Sequence, residues 1–166
     1  MGNIAFDKKY EFRAVFLLSI GAGLVGVDRF LIAPMFPTMM TELHLDYEDL
    51  GAITAALSIA WGIAALFVGR LSDRLGRRRV LIESLIAFSL LIGLGGLATG
   101  VGALVAVRAL MGLADGAYTS SGIAATIDAS APKRHGLNSG LQQMALPLFG
   151  LAATPLLVTR LLEVMS

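Results

Sequence analysis

The most regular feature of the sequence is a series of long apolar stretches separated by short polar segments. A helix needs about 20 apolar residues to cross a bilayer core about 30 Å thick. Stretches of roughly this length with few charges lie near residues 12–37, 50–69, 80–97, 102–127 and 137–159. We therefore predict an all-α, polytopic membrane protein with five spanning helices, and no soluble domain within residues 1–166.

The composition agrees with a chain surrounded by lipid. Apolar residues make up 56% of the sequence and charged residues only 15%, whereas an ordinary soluble domain has roughly 25% charged residues. The 19 glycines favour a helix bundle, because small residues let helix backbones approach closely in lipid. With no soluble domain to hold an active site, we expect neither an enzyme nor a nucleic-acid-binding protein. We also expect no resident cofactor or metal.

The basic residues predict the orientation of the chain. The segment 38–49 contains several acids but no Lys or Arg. Ten basic residues lie in segments on the opposite side of the membrane. Because cytoplasmic segments carry an excess of Lys and Arg, we predict a protein of the inner (plasma) membrane whose N-terminus is cytoplasmic. The ten basic residues are Lys8, Lys9, Arg13, Arg70, Arg74, Arg77, Arg78, Arg79, Lys133 and Arg134.

The segment 69–79 reads GRLSDRLGRRR and lies between the second and third predicted helices. Gly69 would let the second helix approach a neighbouring backbone, Asp73 could cap a helix start, and Gly76 would permit a sharp reversal. Glu83 follows Arg79 at the spacing of an i,i+4 ion pair. A basic loop that simply binds anionic lipid is the alternative interpretation.

This segment resembles the signature loop of the major facilitator superfamily. The resemblance implies the N-terminal helical bundle of a secondary transporter, with five of the usual twelve helices, truncated before the sixth. It also implies a missing C-terminal half as partner and a loop that helps gate the cytoplasmic side. The gating residues would be Gly69, Asp73, Arg74, Gly76, Arg77 and Arg78.

Four charged residues lie deep within predicted helices: Asp28, Arg29, Arg108 and Asp115. A charge within the membrane is costly unless it is paired or faces a cavity, so such residues are functional candidates. Counting helix rise places Asp28 and Arg108 at a similar depth, where they could pair, and Asp115 near the bilayer midplane. Alternatively, all four form a permanent ion-pair network that locks the first and fourth helices together.

The same four residues resemble the pattern of the anion:cation symporter branch of the superfamily. That branch has an Asp-Arg pair in the first helix, and an Arg followed seven residues later by an acid in the fourth. The usual Glu is replaced here by Asp115. The resemblance implies that Arg29 and Arg108 bind a substrate carboxylate, that Asp115 carries the coupling proton, and that Asp28 orients or releases an arginine.

Several uncharged polar residues are weaker candidates. Trp61 occupies a position where related sequences place a substrate-facing aromatic residue, and Gln143 is a candidate because related symporters carry a glutamine in the fifth helix. That glutamine aligns closer to Leu146. For Trp61 and Gln143, the alternative is a purely structural role. We expect a structural role for three further residues, Tyr118, Thr119 and Gln142.

These observations predict a secondary active transporter in the lipid bilayer that moves a small organic anion together with a proton. A proton-coupled exporter of amphipathic compounds, or an inactive transporter fragment, is the alternative. Drug:proton antiporters of the superfamily usually carry a G-P-x-x-G-G element in the fifth helix, and residues 146–151 read LPLFGL. The motif GAGLVG at 21–26 resembles a dinucleotide fingerprint, but within a helix it indicates packing.

Overall fold

The structure, a computed structural model, describes the backbone of residues 7–165 and the side chains of residues 7–160. It confirms the predicted all-α fold class, and the described part of the chain contains no strand. The predicted domain range of 1–166 reaches beyond the described residues at both ends. The described residues form five helices: α1 (Lys8–Leu43), α2 (Tyr47–Leu75), α3 (Arg77–Gly95), α4 (Val101–Ala129) and α5 (His135–Met165). A 3-10 turn at Pro132–Arg134 joins α4 to α5.

The short connections between the helices have clear local causes. Asp46 and Asp49 form a reciprocal capping box at the start of α2, which satisfies two backbone N–H groups that have no partner within the helix. Gly76 lies between α2 and α3 with φ of 91°, a conformation that residues other than glycine rarely adopt. Each short connection reverses the chain, so consecutive helices run in opposite directions.

Among the residues that the structure describes, four elements are long and apolar enough to cross a membrane: α1, α2, α4, and α5 with the turn before it. The 19-residue helix α3 differs because Arg77, Arg78, Arg79 and Glu83 lie within its first two turns. The uncharged part of α3 after Glu83, residues 84–95, is about 18 Å long at 1.5 Å per residue. A third span at α3 therefore stays a prediction.

Close backbone contacts hold the bundle together. The most extensive packing is between α2 and α4 and between α1 and α5, and α3 packs on α4. Gly112 and Gly116 of α4 lie directly against the backbone of α2, as expected for small residues between helices in lipid. The glycines of the GAGLVG segment are confirmed as packing positions. Gly21 lies against Tyr118, Gly23 against Phe149, and Gly26 against the carbonyl of Leu146.

Two apolar clusters lie inside the bundle, one on each side of Asp28 and Arg108. One is centred on Val25, Met111 and Tyr118, and the other on Phe36 and Ile53. Many large apolar side chains remain on the outer surface, among them Leu17, Leu66, Phe67, Leu97 and Leu151. Such a surface suits lipid or further helices rather than water.

Candidate functional site

Two crossed ion pairs connect α1 with α4. Arg108 donates a hydrogen bond from Nη1 to Oδ2 of Asp28 over 2.8 Å, which confirms the predicted pairing. Nη1 of Arg29 lies 3.5 Å from Oδ2 of Asp115. Each helix thus contributes one acid and one base, and the four formal charges sum to zero.

The spacing of these residues along the helices explains the crossing. Asp28 and Arg29 are adjacent in sequence, so their side chains leave α1 about 100° apart, whereas Arg108 and Asp115 are about 10 Å apart along one face of α4. Arg108 contacts Asp28 at the same height along the helix interface. The long side chain of Arg29 spans the distance along the interface to Asp115.

The two pairs differ in burial. Asp115 is only 2% exposed, and its other oxygen accepts a 3.1 Å hydrogen bond from Oγ1 of Thr119. Asp28 and Arg108 are 13% and 15% exposed, whereas Arg29 is 32% exposed. Arg29 is therefore the most accessible of the four charges, and its carboxylate partner is the least accessible.

A cavity of about 250 Å³ opens beside the ion pairs. Both arginines line it and neither aspartate does, so the wall presents positive charge while the carboxylates lie behind it. The remaining lining side chains come from α1 and α2: Phe30, Ile32, Ile53, Thr54, Leu57 and Ser58. The side chains that the structure describes form no group of three or more His, Asp or Glu residues that could hold a metal ion.

Trp61 belongs to the same site through its contact with Arg29. Cζ of Arg29 lies 5.5 Å from the centre of the indole ring, within the range of a cation–π interaction. The buried indole Nε1–H finds no acceptor among the described residues. Trp61 does not itself line the cavity, so it contacts the site through the guanidinium of Arg29.

The structure does not bring Gln143 to this cavity. Its side chain is exposed on α5, whereas the neighbouring Gln142 is buried and accepts a 3.1 Å hydrogen bond from Thr126. Tyr118 donates a 2.8 Å hydrogen bond to the carbonyl of Leu18. Gln142 and Tyr118 therefore have the structural roles expected for them.

Arg77 is the centre of the signature loop. Its guanidinium forms an ion pair with Asp128 at the end of α4, lies 3.2 Å from Oδ1 of Asp73, and donates a 2.9 Å hydrogen bond to the carbonyl of Ala124. The prediction that Asp73 caps a helix is wrong. Asp73 lies inside α2, and the N-cap of α3 is Gly76, which has no side chain to donate or accept.

The other loop residues differ in their surroundings. A Cβ added at Gly69 would meet nothing within 4 Å, so no described backbone uses the close approach that Gly69 permits. Arg74 and Arg78 are exposed. The predicted pair of Arg79 with Glu83 is confirmed at 2.6 Å, and this hydrogen bond raises the pKa of Arg79 above its usual value.

Sequence reasoning missed a polar cluster where the start of α1 meets α5. Glu11 is only 4% exposed and accepts a 2.7 Å hydrogen bond from Nδ2 of Asn138, which also donates to Ser130. Arg134 lies 3.7 Å from the other Glu11 oxygen. The available signal was the position of Glu11, one helical turn before the buried Val15. Sequence reasoning also missed the ion pair between Arg77 and Asp128, because the two residues are 51 positions apart in sequence.

Known proteins with similar sequences are membrane transporters. The family model of the Major Facilitator Superfamily matches residues 18–166. A probable L-galactonate transporter of Escherichia coli is 28% identical over 96% of this chain and 35% of its own length. The 4-hydroxybenzoate transporter PcaK of Pseudomonas putida is 32% identical over 66% of this chain and 24% of its own.

Similarity to exporters is comparable. The multidrug resistance protein MdtG of Proteus mirabilis is 36% identical over 61% of this chain and 27% of its own length. The chain thus spans between 24% and 35% of the lengths of these three relatives. Since the family model covers most of the chain and the helices form the corresponding bundle, the chain belongs to the major facilitator superfamily.

Proposed function

We propose that this chain forms the charged wall of the transport pathway in a proton-coupled symporter for small organic anions. The observation that carries the proposal is the cavity lined by Arg29 and Arg108, with their carboxylate partners behind them. Two guanidinium groups on one small cavity suit a carboxylate, since each can donate two parallel hydrogen bonds to it. Two relatives are named for carboxylates, 4-hydroxybenzoate and L-galactonate.

Proton coupling follows from the charge balance of the two pairs. With all four groups ionised the net charge is zero, so an anion gains no net electrostatic attraction from the site. Protonation of Asp115 removes the partner of Arg29 and leaves a net charge of +1. The released Arg29 can then bind the anion. Proton and anion therefore neutralise the site together, which is the requirement for symport.

The proposal includes a second helical unit opposite this chain. The described part of the cavity wall comes from α1, α2 and α4 alone, and Gly69 has no close neighbour within the described structure. A charged face within a membrane is costly unless it borders a water-filled path or a partner. We infer that the facing wall belongs to a C-terminal half, and that the chain reconstituted by itself transports nothing.

The substrate class is tested by inhibition of uptake in proteoliposomes that contain the complete transporter. Small carboxylates should inhibit uptake, while their neutral amides should not. Arg29→Lys and Arg108→Lys should each raise the KM for a carboxylate roughly tenfold, because lysine keeps the charge but loses the two-pronged donor geometry. Proton-driven efflux of amphipathic compounds without carboxylate uptake would favour the exporter alternative, which the similarity to MdtG supports.

The orientation is tested by labelling single cysteines in this otherwise Cys-free sequence. We propose that the N-terminus and the basic loops face the cytoplasm of the plasma membrane. A cysteine replacing the exposed Arg78 should react with an impermeant reagent only in inside-out vesicles. One replacing the exposed Glu48 should react only in right-side-out vesicles. The opposite pattern would show that the orientation is inverted.

A further inference from the structure

A second cavity system lies between α1 and α5, at the end of the bundle that carries the basic loops. It begins as an apolar groove of about 350 Å³ whose walls include Phe12, Val15, Phe16, Met144, Leu148 and Phe149. Phe16 precedes Arg29 by 13 residues, which corresponds to about 20 Å along the helix. The groove is therefore separate from the cavity at the two arginines.

The groove ends at a polar cup that holds an excess of positive charge. The cup has a volume of about 390 Å³, is lined by Lys8, Glu11, Lys133 and Arg134 together with Ala131 and Pro132, and shares Lys8, Glu11 and Arg134 with the groove. Its four ionisable groups sum to +2. Glu11 is held by Asn138 and Arg134. Lys8 and Lys133 form no ion pair within the part of the chain that the structure describes.

We propose that this groove and cup form a binding site for one anionic phospholipid. An acyl chain would lie along the aromatic and aliphatic walls of the groove. The phosphate would sit in the cup beside Lys8 and Lys133. Charge complementarity favours this occupant, because basic pockets between helices at the membrane surface bind anionic headgroups. The site lies where a lipid would enter it, at the boundary between the charged start of α1 and its apolar continuation.

The bound lipid would hold α1 and α5 together at their basic ends. The two helices meet there through the buried Glu11 and Asn138, and the lipid would fill the apolar gap beyond this contact. The site thus gives the transporter a preference for anionic lipid that is separate from its substrate site. It does not depend on the proposed symport activity.

The experiment is fluorescence quenching of a single tryptophan by brominated lipids in vesicles. Trp61 is replaced with phenylalanine, and a new tryptophan is placed either in the groove (Phe16→Trp) or on the outer surface of α2 (Leu66→Trp). Both positions lie eight or nine residues from the basic end of their helix, and both side chains are exposed. Brominated phosphatidylglycerol, which is anionic, is compared with brominated phosphatidylcholine, which is zwitterionic.

We expect phosphatidylglycerol to quench the Phe16→Trp variant more than phosphatidylcholine does, by at least about twofold, and the two lipids to quench the Leu66→Trp variant equally. The double change Lys8→Gln and Lys133→Gln should abolish the preference at position 16. The matched change Arg74→Gln and Arg78→Gln removes two exposed charges from the same side of the membrane and should leave it intact. Helical circular dichroism spectra confirm that each variant is folded.

Three results would overturn the proposal. Equal quenching by both lipids at position 16 would show a groove filled by lipid without selection. Failure of either lipid to quench the tryptophan at that position would show that protein, such as a further helix, covers the groove. An equal loss of preference in the two double variants would show that general surface charge, and not this cup, attracts the anionic lipid.

Discussion

Replacing Asp115 with asparagine should abolish proton-driven accumulation of the substrate while leaving substrate exchange intact. Asparagine has nearly the same shape and can still accept the hydrogen bond from Thr119, but it cannot carry a proton or pair ionically with Arg29. The variant therefore resembles the protonated state permanently. Accumulation driven by a proton gradient should fall at least about tenfold, whereas counterflow between labelled and unlabelled substrate should continue.

Both activities are measured on the same proteoliposomes with the complete transporter, and Glu48→Gln removes an exposed acid as the control. The result separates coupling from a fixed structural network. If Asp115 only locked α1 to α4, accumulation and counterflow would decline together, along with thermal stability. Normal accumulation with normal pH dependence in Asp115→Asn would contradict the coupling role outright.

The proposed substrate-binding roles of Arg29 and Arg108 and the proposed coupling role of Asp115 depend on features that the sequence reveals unequally. The depth of Asp28 and Arg108 could be counted from the ends of the apolar stretches, because helix rise is constant. The pairing of Arg29 with Asp115 could not be counted in this way. It depends on the rotation of α1 relative to α4 and on the direction that a long, flexible side chain takes.

The same limit explains Gln142 and Gln143. The two residues are adjacent, and only the rotation of α5 decides that Gln142 faces Gly122 and Thr126 while Gln143 is exposed. The apolar pattern does not identify the buried face of α5, because large apolar side chains such as Leu141, Met144 and Leu148 are exposed while Asn138 and Gln142 are buried. A rotation of about 100° per residue separates a packing residue from a surface residue.

The signature loop shows a different limit. Its spacing correctly placed Gly76 at the reversal between α2 and α3, because the reversal depends only on the backbone conformation of that residue. The partners of Arg77 were not predicted, because Asp128 is 51 residues away in sequence. Local sequence specifies turns and helix ends, whereas ion pairs between distant helices require the packed arrangement.

That arrangement depends on glycines, and replacing Gly116 with alanine should destabilise the bundle. A Cβ at this position would lie 2.6 Å from the carbonyl oxygen of Trp61 and 2.7 Å from Cβ of Ala64. Neither of these atoms belongs to a flexible side chain, so α2 and α4 must move apart. We expect a loss of roughly 1–3 kcal/mol of unfolding free energy, as for other overpacked interiors.

Gly62→Ala is the matched control, since a Cβ there would meet nothing within 4 Å and alanine favours helix over glycine by up to about 1 kcal/mol. The control should therefore be as stable as the original chain or slightly more stable.

Trp61 is the single tryptophan of the sequence and lies at this contact, so its emission reports unfolding in detergent directly. Gly116→Ala should shift the emission to longer wavelength at a lower temperature or denaturant concentration than Gly62→Ala. Coinciding transitions for the two variants would mean that α2 and α4 tolerate a wider spacing.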